Sequence, residues 1–114
     1  MCYNRAVGSN KNTTLSSMPP LSFEWDKQKN QTNQKKHGVS FQEAESVFYD
    51  ENAIQFWDDD HSEMEERFLL LGRSSKMRIL LIVHCYREED SVIRIISARK
   101  ATPKESQQYR GYCL

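Results

Sequence analysis

At 114 residues the chain is long enough for one domain on a modest core and too short for two. Its formal charge sums to zero, yet residues 1–60 carry six Lys/Arg against nine Asp/Glu and residues 61–114 carry ten against seven, an offset that points to an acidic or polyanionic partner near the second half without the strongly basic balance of a duplex-DNA binder. Three cysteines (Cys2, Cys85, Cys113) without metal or redox spacing, no apolar run near the roughly 20 residues of a membrane helix and no apolar leader argue against disulfide-stapled, membrane-spanning and secreted classes, so a reducing cytoplasm is the expected setting.

Residues 1–19 are polar and aperiodic and read as a disordered tail, which leaves residues 20–110 as the domain and 111–114 as a C-terminal tail. Pro19 and Pro20 lead into Leu21–Trp25, a short edge strand. Asp26 is a good N-cap for a helix over Lys27–His37, although Lys27, Lys29, Lys35 and Lys36 leave it almost no apolar stripe, so it is a poor helix in isolation. Gly38 suits the position after the helix, and Ser40-Phe41-Gln42-Glu43 is a capping box that starts a second helix at once. Phe41, Ala44, Val47 and Phe48 form its core-facing stripe. Asp50-Glu51-Asn52 ends that helix, Ala53–Trp57 reads as a strand, and Asp58-Asp59-Asp60-His61-Ser62 as an acidic loop.

Three apolar runs of strand length follow: Glu66–Gly72, Met77–Tyr86 and Ser91–Arg99. The polar breaks 73–76 and 87–90 make them an antiparallel meander. Thr102 as N-cap, Pro103 at the first helical position and Glu105 two residues on open a short helix over Pro103–Tyr109. The expected fold is α+β: two N-terminal helices packed on one face of a twisted antiparallel sheet, with a short C-terminal helix. Within the meander Arg67, Arg78 and Arg94 alternate with apolar neighbours and Arg99 closes the third run. Two readings stay open. One face of the sheet is simply wet and decorated with charge, or the guanidinium forks form a cationic face built for phosphate.

Phe23-Glu24-Trp25-Asp26, Lys29, Asn33 and the run Lys36–Ala44 resemble the N-terminal signature of BrnT toxins. Asp58-x-x-His61-Ser62, Glu66-Arg67-Phe68, Gly72-Arg73-Ser74 and Ile95–Thr102 are similar to that family's second half, so the resemblance covers roughly Leu21 to Tyr109. It implies the toxin of a type II toxin–antitoxin pair: a small ribonuclease of RelE-like fold that blocks translation. The implied partner is a BrnA-type antitoxin with a ribbon-helix-helix domain, and the hetero-oligomer of the two would repress its own operon, reaching operator DNA only through the antitoxin. A toxin dimer is compatible with this. None of it follows from periodicity.

Metal-free RNA cleavage needs a base for the 2′-hydroxyl, cations around the phosphate and an acid for the leaving oxygen. Arg67 and Arg99 lie in the matching motifs and are the candidates for transition-state charge, gathered in one uncovered pocket. His61 is a candidate acid or base, Glu66 a second base, and Tyr109 a stacking platform or proton donor. Lys36, Arg73, Arg78, Arg94 and Lys100 are the candidate RNA-backbone contacts. No cofactor or metal is expected, since an Asp-rich turn such as 58–63 is ordinarily just solvated. His37 reads as a corner residue, His84 as packed or surface-facing within its strand, and Trp25 and Trp57 as core aromatics. The alternative class is a catalytically weak module that only binds antitoxin.

Overall fold

Asp26 stands in extended backbone (φ −79°, ψ 124°), and its Oδ1 accepts from the N–H groups of Gln28 and Lys29 at 2.8 and 3.1 Å. Helix α1 (Lys27–His37) therefore starts where the sequence puts it in the computed structural model, which describes residues 2–4, 21–58 and 66–112. It ends at Gly38, whose φ of 69° is the left-handed cap that glycine adopts without cost. Two residues later Ser40 accepts from the Glu43 N–H at 3.0 Å and opens α2 (Phe41–Val47).

The strands are β1 (Cys2–Asn4), β2 (Ser22–Glu24), β3 (Ile54–Trp57), β4 (Phe68–Arg73), β5 (Ile79–Arg87) and β6 (Val92–Lys100), followed by α3 (Pro103–Tyr112). They form one sheet in the order β1-β3-β4-β5-β6-β2. The meander and the edge strand are as expected, but the sheet is mixed. Strand β2 runs parallel to β6, pairing Phe23 with Ile93 and Glu24 with Arg94. A three-residue edge strand has no pattern of its own that specifies direction; the path of the chain decides it. The second difference lies in the expected disordered tail, where Cys2–Asn4 pair with β3 and cover an edge that would otherwise expose its backbone groups.

Helices α1 and α2 lie on one face. Val39, Phe41, Ala44, Val47 and Phe48 pack there against Leu70, Leu80, Ile82, Ile93, Ile95 and Ala98. On the other face Leu71, Leu81 and Tyr109 of α3 form a smaller cluster with Phe56, Leu69 and Ile79. Register slips by one residue between β5 and β6 at Val83/His84, so Arg94 opposes Cys85 and Arg99 opposes Leu81. Five residues apart on a regular strand, Arg94 and Arg99 would face opposite ways. The bulge returns both to the face away from α1 and α2. Among the described residues no helix is long and apolar enough to cross a membrane.

Without an apolar stripe, α1 is docked by amides. Asn33, only 7% exposed, donates from Nδ2 to the carbonyls of Val39 and Ala98, both at 2.8 Å, and its Oδ1 accepts from the Ala98 N–H at 3.2 Å. Asn30 is equally buried; its Oδ1 accepts from the Phe41 N–H at 2.9 Å, and its Nδ2 donates to Gln42 Oε1 at 3.1 Å. Asn33→Ala leaves the Ala98 N–H and two carbonyls unsatisfied, and is expected to lower stability in urea denaturation by about 2–3 kcal/mol. Asn33→Asp should be no better, because it turns a carboxylate oxygen on two carbonyl oxygens. A loss below about 0.5 kcal/mol in both would show that α1 is held by something else.

Candidate functional site

The turn from β4 to β5 is tied into the helical layer through one carboxylate. Glu43 of α2 is 4% exposed. Its Oε2 accepts from the Ser74 hydroxyl at 2.7 Å and from Arg78 Nε at 2.9 Å, while Arg78 Nη2 contacts Oε1 and donates to the Gly38 carbonyl at 3.0 Å. Burial pushes the Glu43 carboxyl up, but the hydrogen bonds from Arg78 and Ser74 outweigh it and hold the group below its ordinary value. Arg78 is thus turned toward the helical side, apart from Arg94 and Arg99.

Two further arginines are paired with glutamates, one of which, Glu24, also lies 3.7 Å from Arg87 Nε. Arg94 Nη1 lies 2.9 Å from Glu24 Oε2 across the parallel pair. Arg99 forks onto Glu105, Nη1 to Oε1 at 2.9 Å and Nη2 to Oε2 at 3.0 Å. Glu105 meanwhile closes the capping box of α3, its Oε1 accepting from the Thr102 N–H at 2.9 Å while Thr102 Oγ1 accepts from the Glu105 N–H at 3.1 Å. The hydrogen bond to Glu105 raises Arg99 further, and the hydrogen bond from Arg99 lowers Glu105.

Arg73, Lys100 and Arg110 differ. Among the described residues no carboxylate lies within ion-pair distance of them. They converge with Arg78, Met77 and Ser106 on a shallow cleft of ≈ 310 Å³ where β5 begins and β6 ends. No acidic side chain lines it. Arg73 is set in place from below. Its guanidinium lies 5.8 Å from the centre of the Tyr109 ring, and its N–H donates to Asp50 Oδ2 at 2.8 Å. The Tyr109 hydroxyl donates to that same oxygen at 2.7 Å. Gly72 permits this approach, since a Cβ there would come within 2.9 Å of Ala53 Cβ and Val47 Cγ1 and 3.0 Å of Asp50 Oδ2. Beyond Arg73 a second depression of ≈ 370 Å³ is lined by Ser46, Tyr49, Asp50, Arg73, Ser74 and Ser75. A third, of ≈ 630 Å³, lies at the far end of β5 and is lined by Glu66, Glu88 and Asp90 against one arginine, Arg87.

The structure brings together three of the expected RNA contacts, Arg73, Arg78 and Lys100, and adds Arg110. Arg110 lies beyond the helix over Pro103–Tyr109 that the sequence predicts; α3 runs on to Tyr112, placing Arg110 one turn after Ser106. Lys36 is exposed on the last turn of α1, beside the Gly38 that receives Arg78. Arg67 and Arg99 do not share the cleft. Phe68 opposes His84 and Arg99 opposes Leu81, so by strand rise and spacing they lie on one face roughly 16 Å apart. Neither Arg67 nor Arg99 lines any of the three hollows described, so the expected single pocket is not seen among the described residues, and Arg99 is further held by Glu105, which reaches back from the start of α3. Tyr109 is 3% exposed and offers no ring face to a base. His61 lies outside the described residues, as does the 58–63 loop apart from Asp58. His84 is fully buried, with Nε2 3.2 Å from Gln55 Oε1. Trp57 remains 40% exposed, packing edge-on against Phe68 rather than in the core. Among the described residues no group of three or more His, Cys, Asp or Glu is placed to hold a metal ion.

Comparison with known proteins agrees with this architecture. Residues 25–105 match the model of the family described as the ribonuclease toxin, BrnT, of type II toxin–antitoxin systems. The crystal structure of the Brucella abortus ribonuclease toxin BrnT superposes with a TM-score of 0.54 at 21% identity, covering 73% of this chain and 99% of that one. At that identity the likeness shows the fold. No curated protein matches the chain.

The ion pairs set an acid limit. Glu43 and Glu105 are both held below their ordinary value of 4.5, so the stability they contribute is complete above that pH and is lost as pH falls through their lowered values. Thermal melts from pH 7 to pH 3 should show a fall confined to the acid side. Glu43→Gln should cost about 2 kcal/mol at pH 7, less than a fully buried pair because Arg78 keeps some solvent, and should flatten that fall. An unchanged acid profile in this variant would remove Glu43 from the account.

Proposed function

The chain belongs to the BrnT family of ribonuclease toxins of type II toxin–antitoxin systems, and from that premise we propose that Arg73, Lys100 and Arg110 grip the phosphates of its RNA substrate. What carries this reading is the partition of charge. Arg78, Arg94 and Arg99 are each matched to a glutamate, whereas Arg73, Lys100 and Arg110, the other three cations of the cleft, have no carboxylate partner among the described residues. Arg is suited to a phosphate by its planar fork, and Lys adds a compact charge.

The proposed reaction is metal-independent. The ribose 2′-hydroxyl attacks the adjacent phosphorus, a base takes its proton, and the P–O5′ bond breaks as an acid protonates the leaving oxygen. This yields a 2′,3′-cyclic phosphate and a 5′-hydroxyl end. Fixed guanidinium groups meet the charge that grows on the phosphoryl oxygens. Proton transfer is proposed for His61 or Glu66, and transition-state charge for Arg67, all three from the family-like motif they occupy. Glu66 lines the depression at the far end of β5 from the cleft, so on this reading one strand several nucleotides long occupies both ends. Arg99, locked to Glu105, is assigned to holding α3 and the cleft wall rather than to the reacting phosphate.

Cleavage of cellular RNA would arrest translation. Neutralisation is proposed to come from a BrnA-type antitoxin carrying a ribbon-helix-helix domain, the complex repressing its own operon. Expression without antitoxin should arrest growth, and the purified chain should cleave RNA in excess EDTA. Alanine at Arg73, Lys100 and Arg110 together should relieve the arrest and weaken RNA binding at least tenfold, with a shallower salt dependence, because about three phosphate contacts are lost. Antitoxin capture and melting temperature should survive. A wild-type chain that is harmless alone, degrades no RNA and still binds antitoxin would instead be the binding module.

A further inference from the structure

We propose that the depression on the other side of Arg73 is a nucleobase subsite in which Tyr49 stacks on one unpaired base of the RNA; this rests on the reading of the neighbouring cleft as the phosphate site. The first observation is the ring itself. Tyr49 is 59% exposed, more than any other aromatic side chain among the described residues. It is nevertheless braced, its ring centre 6.3 Å from that of Phe23, which in turn packs edge-on against Phe48 at 5.3 Å. A solvent-exposed aromatic supported from one side is what stacking on a splayed base requires.

The second observation is the floor around it, whose polar groups are already committed. Ser46 Oγ donates to the Glu43 carbonyl at 2.6 Å and accepts from the Ser75 N–H at 2.8 Å. Ser74 donates to Glu43. Asp50 accepts from Arg73 and Tyr109 on Oδ2 and from the Asn52 N–H on Oδ1. The floor is preorganised, and the lining residues with side-chain groups not committed to it are Tyr49, Ser75 and Arg73. The third observation is that Arg73 lines both hollows. A nucleotide whose phosphate is held by Arg73 therefore has its base within reach of Tyr49, in a hollow of ≈ 370 Å³.

The test uses the full chain and a single-stranded RNA that it cleaves, together with a series in which each nucleotide in turn is made abasic. For the wild type one abasic position should raise KM roughly tenfold with little change in kcat. Tyr49→Ala should raise KM for the intact RNA by a similar factor and become indifferent to that position, whereas Tyr49→Phe should behave as the wild type. Tyr49→Trp supplies an independent reading, since its fluorescence should be quenched by intact RNA and not by the RNA abasic at that position. A flat abasic scan, or a KM that Tyr49→Ala leaves unchanged, overturns the subsite while cleavage itself leaves the phosphate cleft standing. A Tyr49→Ala chain that cleaves normally but loses antitoxin makes the ring an antitoxin contact instead. If the wild type cleaves no RNA at all, both readings fall.

Discussion

The side-chain amide of Asn33 ties helix α1 to both the α1–α2 corner and strand β6. Helix α1 has nothing greasy to bury, so the hydrophobic effect alone cannot seat it on the sheet. A buried amide with all its bonds made can, because leaving either β6 or the α1–α2 corner unpaired would cost the desolvation of each orphaned group. Asn30 repeats the device one turn earlier. Once α1 is fixed, Gly38 presents its carbonyl to Arg78, and α2 delivers Glu43 to the β4–β5 turn. The shape of the cleft at that turn is thus inherited from an asparagine on the opposite layer.

A net charge of zero conceals a deliberate distribution. Glu43 and Glu105 each engage one arginine, Glu24 engages Arg94 with Arg87 close by, and each carboxylate also does structural work: anchoring the turn, closing the last helix, joining the parallel edge. Such pairs contribute little net energy where exposed and more to specifying one arrangement where buried. They leave a local excess of positive charge at one end of the sheet, where the cleft is found, and acidic side chains gather at the other. Arg73 is the cation with the most elaborate support. It rests over the Tyr109 ring, its backbone is held by Asp50, and its neighbour Gly72 has no side chain to separate them.

The one-residue slip between β5 and β6 has a similar economy. It preserves an unbroken apolar row beneath the helices, through Ile93, Ile95 and Ala98, while keeping Arg94 and Arg99 together on the other face. A regular strand would have had to bury one of these arginines under α1. The likeness to the Brucella abortus toxin is a likeness of fold. It says nothing of how the cations are shared out.

Local chemistry was enough to decide where the helices start and how the meander is spaced. Asp26, Gly38, Ser40 and the Thr102–Glu105 box bracket their helices through bonds to the nearest few backbone groups, and the meander is spaced by its own polar breaks, so these features were legible before any coordinates. The resemblance carried by residues 21–109 likewise gave the family. What the chain order could not convey is which charges find each other across long separations. Glu43 and Arg78 are 35 residues apart, Glu24 and Arg94 are 70, and Tyr109 reaches Asp50 over 59. Alternation along a strand gives a side chain a face but not a partner, and a single bulge reverses even that. Whether an arginine is an internal strut or a hand held out to phosphate was therefore settled by packing, because only in three dimensions does a carboxylate come near enough to claim it.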